Sequence, residues 1–250
     1  MDLPKQYIRI ARDITGYWGA YPPSYPLSPG MIGRPKDGAF IREDYLKSLP
    51  GYDPVTHDIE DNALPDPVSL WTTRGVSMKV LGTGVATKVV PVSGKIQIHF
   101  SAENDAAIIC NGNLYRSFSS LSAVKNLMLD LDDKNQWDRK QCVVTEILVV
   151  KTAWIFFATE KERTGEVEGS APVNLSKFGP FDALKELVGK ANLVASFSGS
   201  RTGCIATSLP NGGTPLFRAI KLKKEFVRPK EIDYVKGLDL AFEEPMFGEV

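Results

Sequence analysis

VVTEILVVKTAWIFFATEKER, Val143 to Arg163, is the stretch on which the reading of the fold turns. Twelve of the sixteen residues from Val143 to Ala158 are apolar, and the chain then changes abruptly into the charged run Glu160 to Arg163. A membrane-spanning helix needs about 20 apolar residues, and Lys151 interrupts this one. The stretch predicts instead one strand far longer than the roughly 5–6 residues usual in a sheet. Such a strand can line a protein core or, in a closed barrel, face lipid on one side.

The rest of the composition bounds the answer. At 250 residues, 43% hydrophobic and 24% charged, the chain reads as one globular domain spanning residues 1–250. Lys plus Arg balances Asp plus Glu at 30 each, so no whole-molecule charge favours nucleic acid, and no nucleic-acid partner is expected. Cys110, Cys142 and Cys204 are odd in number and widely spaced, with only His57 and His99 for company. That pattern fits a reducing compartment and argues against a disulfide framework or a zinc site. No secretory signal is visible at the N-terminus, which carries charge inside its apolar pattern. A β-barrel former stays open, because a tilted spanning strand needs only about 9–11 residues of mixed character.

Along the chain, Pro4 to Thr15 places Tyr7, Ile8, Ile10, Ala11 and Ile14 at helical spacings, with Lys5, Arg9 and Arg12 forming a basic face. Such a helix is either a solvated surface element or one that rests on anionic headgroups. Ala20 to Gly38 is rich in Pro, Gly and Tyr, and Leu49 to Asp66 is broken by Pro50, Gly51, Pro54 and Pro65. Neither predicts regular structure. From Val68 to Cys110 the period changes to two, with Ile96, Ile98 and Phe100 on one face and Lys95, Gln97 and His99 on the other. Two turns compete there, Pro91 to Gly94 and Ser101 to Asp105. Leu121, Val124, Leu127, Met128 and Leu131 share one face of a helix behind a serine cap, expected to pack on the sheet. Phe181 to Gly189 reads as a short helix. A second alternating segment follows, with Ala191, Leu193, Ala195 and Phe197 opposite Asn192, Val194, Ser196 and Ser198. The chain then gives a last strand and a basic run, Lys221, Lys223, Lys224, Arg228 and Lys230.

Catalytic chemistry finds little support. There is no nucleophile elbow, no HExxH, no dinucleotide fingerprint, and Gly82 to Gly84 lacks the phosphate-loop pattern. His99 belongs to a strand face, and Cys142 reads as a small buried hydrophobe. No enzyme, metal or cofactor is expected.

VVTEIL at Val143 to Leu148, the charged hairpin after it, a second alternating strand and the Phe-Arg-Ala-Ile step at Phe217 to Ile220 together resemble the gasdermin pore-forming domain. Tyr7 to Ile14 is similar to that domain's first helix, GKIQIHFSAENDAAIICNG to its first membrane hairpin, and Leu121 to Leu131 to the helix that follows. The Pro-rich segment Ala20 to Pro35 has no match in the pattern. With no room for the large C-terminal repressor of animal gasdermins, the resemblance is to the short forms, fungal regulators of cell death or bacterial relatives. It implies an α+β fold: a twisted, mostly antiparallel sheet with packed helices and two long β-hairpins, around Val76 to Cys110 and Val143 to Thr207. It further implies a cytoplasmic monomer that moves to the inner leaflet of the plasma membrane and binds acidic phospholipid through Lys5, Arg9, Arg12, Lys221, Lys223 and Lys224. There it assembles with copies or variants of itself and kills the cell, in innate immunity or allorecognition. Residues implied to enter the membrane are Val85, Val89, Ile96, Ile98, Phe100, Ile108, Ile155, Phe156, Phe157, Leu193, Ala195 and Phe197. The contrasting expectation from the residues alone is a non-catalytic scaffold with an ordinary antiparallel sheet.

Overall fold

The computed structural model describes residues 3–36, 39–64, 68–81, 92–171, 179–190, 204–223 and 242–243. The chain passes back and forth between two units, one built from residues 1–64, 114–149 and 213–250, the other from 65–113 and 150–212. Labels below follow chain order.

In the first unit, α1 (Leu3–Thr15) leads to β1 (Trp18–Gly19), β2 (Met31–Lys36), β3 (Ala39–Tyr45) and β4 (Ile59–Ala63). Later segments add β9 (Leu114–Phe118), α2 (Leu121–Asp133), β10 (Cys142–Val150), β14 (Gly213–Leu222) and β15 (Phe242–Glu243). These strands form one sheet in the order β1-β14-β10-β2-β3, with β9 also on β10, β4 on β9 and β15 on β14. β10 forks it: Cys142 and Val143 oppose Gly33 and Ile32 of β2, while Glu146 to Val149 oppose Ser117 to Leu114 of β9. Helix α2 begins as expected at Ser120, whose hydroxyl accepts the Ala123 N–H at 3.2 Å. Its stripe Val124, Leu127, Met128 and Leu131 packs with Ile32, Phe118, Val143 and Leu222.

Two segments expected to be irregular contain strands. β2 forms inside Ala20 to Gly38 because Pro35, which has no N–H to give, lies beyond the two-pair ladder with β10. β4 forms inside Leu49 to Asp66 although all five of its residues are exposed, since pairing with β9 supplies the order that its composition does not.

The second unit contains β5 (Val68–Thr72), β6 (Val76–Leu81), β7 (Val92–Phe100), β8 (Ala106–Asn111), β11 (Thr152–Ala158), β12 (Arg163–Ala171), α3 (Pro180–Lys190) and β13 (Cys204–Leu209). It holds two antiparallel sheets, β13-β11-β8-β5 and β12-β7-β6. The apolar stripe of α3, Ala183, Leu184 and Val188, shares one core with Ile96, Ile98 and Phe100 of β7, Ala107 and Ile109 of β8, and Trp154 and Phe156 of β11. Burying each large member of that core is worth about 1.5–3 kcal/mol.

The stretch Val143 to Ala158 is therefore not one strand. It breaks at Lys151, whose N–H turns to the Asn111 carbonyl at 2.9 Å, into β10 and β11 of different sheets. Gly212 packs so closely there, in left-handed backbone at φ 80°, that a Cβ would lie 2.6 Å from the Val150 carbonyl oxygen. The hairpins also differ from expectation. β6 and β7 pair across residues 82–91, which lie outside the described residues. Val92 to Gly94 of the first candidate turn are already strand, and Ser101 to Asp105 joins β7 to β8, which do not pair with each other. In the second region β11 pairs with β13, while β12 pairs with β7 and α3 intervenes. Among the described residues no helix is long and apolar enough to cross a membrane.

Candidate membrane-contact site

Helix α1 is amphipathic in the way its spacing requires. Tyr7, Ile8, Ile10 and Ala11 are buried, Arg9 and Asp13 are exposed, and Lys5 and Arg12 are half-buried. The helix is held to the sheet by the Tyr7 hydroxyl, which donates to the Pro215 carbonyl of β14 at 2.8 Å. Arg12 is engaged at the helix end. Its guanidinium lies 5.2 Å from the Trp18 ring centroid, and its Nη1 donates to the Gly16 carbonyl. That interaction places positive charge at the C-terminus of the helix, where the backbone dipole favours it. Arg9 stands clear on the solvent face.

The second basic group extends from β14. Lys221 and Lys223 are both half-buried, and Lys224 lies outside the described residues. Lys221 is six residues, roughly 20 Å, farther along β14 than Pro215, where α1 is anchored. The two basic groups thus belong to one unit and one pair of neighbouring elements.

Beside α1 the fold joins the two segments that carried the resemblance. Glu146 of β10 accepts a hydrogen bond from the Tyr17 hydroxyl, and Arg218 of β14 places its Nε 4.0 Å from the same carboxylate. The Arg218 guanidinium lies over the Tyr17 ring, 4.3 Å from its centroid, and the Tyr115 ring stacks on Tyr17 at 5.6 Å. Burial, then the hydrogen bond to Glu146 and its charge, push the Tyr17 hydroxyl well above the usual phenol range. Glu146 and Arg218 lie inside the two quoted stretches, Val143 to Leu148 and Phe217 to Ile220, but sequence reading gave neither a role and missed Tyr17 and Tyr115. Nothing local marks a tyrosine whose partner is 129 residues away.

The residues expected in the membrane are placed unevenly. Ile96, Ile98, Phe100 and Phe156 fill the α3 core of the second unit, while Ile108, Ile155 and Phe157, buried too, sit at the alternate strand positions. Val85, Val89, Leu193, Ala195 and Phe197 lie outside the described residues.

The remaining reactive side chains are not gathered. Cys110 and Cys142 are buried free thiols, and burial pushes Cys142 up to about 12. His57 is buried in the Asp53 to His57 turn, stacked on Tyr52 at 5.0 Å. His99 is partly exposed, with its Nε2 3.0 Å from Glu162. A cavity of about 320 Å³ in the first unit is lined by Tyr45, Leu46, Lys47, Tyr52, Phe118 and Arg116, and Arg116 makes a bidentate pair with Asp61 at 2.6 and 2.7 Å. Among the described residues no group of three or more His, Cys, Asp or Glu could hold a metal ion.

No family model matches the sequence, and no curated protein matches it. Among solved structures, a bacterial gasdermin from Bradyrhizobium tropiciagri is similar over 96% of this chain and 90% of that one, at 12% sequence identity and a TM-score of 0.34.

Proposed function

We propose that the chain is a gasdermin-like pore former, a cytoplasmic monomer that docks on acidic phospholipid, assembles with copies or variants of itself and opens a β-barrel that lyses the cell. The observation that carries the reading lies in β6 and β7. There Val76, Met78, Val80, Ile96, Ile98 and Phe100 pack in or on the α3 core, and alternate with Ser77, Lys79, Gln97 and His99. Strands of this pattern can serve two solvents: the apolar face meets α3 in water and lipid in a barrel, while the polar face lines a wet lumen. All backbone groups must be paired in the bilayer, and so few strands per chain cannot close a useful barrel, so assembly is required. Lys5, Arg9, Arg12, Lys221, Lys223 and Lys224 are assigned to headgroup contact; among the described ones Arg9 is exposed and the rest are half-buried.

The test is dye release from liposomes with and without acidic phospholipid. Release that depends on the acidic lipid supports the reading, and intact liposomes at every protein concentration would contradict it.

A second reading, a non-catalytic scaffold, draws on β8 and β11, most of whose residues are buried at both alternating sets of positions. A sheet so enclosed suits a permanent core. Under this reading, substitution of Ser196 and Ser198 leaves binding and fold intact.

A further inference from the structure

The two sheets of the second unit share one register. Phe157 of β11 opposes Ala106 of β8, and Arg163 of β12 opposes Phe100 of β7. From the first pair to the second is six residues forward on one strand and six residues back on the other. The spans between them, 101–105 and 158–162, are equal in length. We infer that residues 92–111 and 152–171 are one antiparallel ladder folded over at a crease, and that the ladder opens at this crease without any change of register. The inference rests on the pore reading for what drives the opening.

The crease is held by Asp105. Its carboxylate accepts the Thr73 hydroxyl at 2.5 Å and the Ala102 N–H at 2.8 Å, with the Ser101 hydroxyl at 3.5 Å. Its carbonyl accepts the Ala158 N–H, and the Asn104 N–H donates to the Ala158 carbonyl, both at 2.8 Å. One residue thereby ties together three of the connections between the sheets, β5 to β6, β7 to β8 and β11 to β12. Gly75 makes room for it, since a Cβ there would lie 2.1 Å from Asp105 Oδ2.

Both strands carry a left-handed residue in the crease, Asn104 at φ 70° and Glu162 at φ 54°. For Glu162 that conformation is uncommon and strained. The crease changes which face meets the core: even-numbered Ile96, Ile98 and Phe100 before it, odd-numbered Ala107 and Ile109 after it. Opened, the period of two places Ile96, Ile98, Phe100, Ala106, Ile108 and Cys110 on one face, with Ala153, Ile155, Phe157 and Gly165 beside them. Gln97, His99, Glu103, Glu160, Glu162 and Glu166 fall on the other.

The polar members of the apolar face, Asn104, Thr159, Lys161 and Arg163, cluster at the crease itself. A tilted spanning strand needs about 9–11 residues, roughly half of the opened length. The crease then lies at the headgroups, where Lys161 and Arg163 reach water, and the β7–β12 half enters the bilayer. The charged run Glu160 to Arg163 stops at the surface and need not cross. Opening strips cover from Trp154 and Phe156, so water favours the closed form.

Hydrogen exchange tests the lock and the opening separately. In solution, Thr73→Val keeps the side-chain shape and removes the hydroxyl that Asp105 accepts. The Asn104 and Ala158 amides are expected to exchange about tenfold faster, with β10 unchanged as an internal control, and Gly75→Ala is expected to act in the same direction. A folded Thr73→Val protein with unaltered exchange at both amides overturns the lock. On acidic-phospholipid vesicles, peptides covering 101–105 and 158–162 are expected to become protected together as dye is released. Dye release with both spans still exchanging as in solution overturns the in-register opening and leaves the pore reading standing. No release from any vesicle sinks the pore reading and the opening with it, while the solution arm still decides the lock.

Discussion

At the scale of single residues, the Tyr17 cluster shows how distant segments are fastened. Tyr17 joins Glu146, Arg218 and Tyr115 through one hydrogen bond, one cation–π contact and one stack. Tyr17→Phe keeps the ring and loses the hydroxyl, leaving the Glu146 carboxylate one donor short. A loss of about 1 kcal/mol is expected, measured by urea unfolding. Because the folded-state hydroxyl titrates above its ordinary value, this contribution is present throughout neutral pH. It is lost only as pH rises beyond about 10, the unfolded value. Cys142 gives a second residue-scale prediction. Buried, with its Sγ 3.4 Å from the Gly33 carbonyl and its thiol raised to about 12, it should resist alkylation in the folded protein at pH 8. Mass spectrometry after iodoacetamide treatment checks this, and rapid labelling of Cys142 before unfolding would contradict the burial. The burial of Cys142 was legible from its apolar neighbours in QCVVTE. The Tyr17 cluster was not, since it depends on three strands meeting.

Among the elements, periodicity carried the helices well. α1, α2 and α3 each lie where apolar spacing places them, because a 3.6-residue stripe must meet a core whatever the tertiary arrangement. Strand pairing was less legible. The apolar run from Val143 to Ala158 looks continuous because both of its halves are buried, and only the three-dimensional position of Lys151 and Gly212 splits it. β4 shows the converse: five exposed residues with weak strand propensity form a strand through β9. Among the candidate contact residues, the amphipathic face of α1 was readable, whereas the capture of Arg12 by Trp18 and Gly16 was not. Arg9→Gln should therefore weaken binding to acidic vesicles more than Arg12→Gln, with a lost basic contact worth on the order of 1 kcal/mol, about fivefold in affinity. Vesicle co-sedimentation gives the comparison, and equal or reversed effects would contradict the assignment of α1's outer face. For α3, Leu184→Ala leaves a cavity in the core shared with β7 and β11. It should cost about 2–5 kcal/mol in chemical unfolding.

At the scale of the whole molecule, a short helix, α3, covers the apolar strand faces of the second unit, and the proposed function requires a membrane to free them. The β-rich class with packed helices was legible from the change of period along the chain. The division into two units and the placement of β10 and β11 in different sheets were not, because local sequence does not say where a chain leaves one core for another. A protein of this kind should be stable and monomeric without lipid, and should change its strand pairing only on an acidic surface. The most direct measurement is the release of an entrapped dye from liposomes containing acidic phospholipid, with liposomes lacking it as the control. The account predicts release that is steep in protein concentration and confined to the acidic liposomes. Intact acidic liposomes at all concentrations, with the protein bound or unbound, would contradict it.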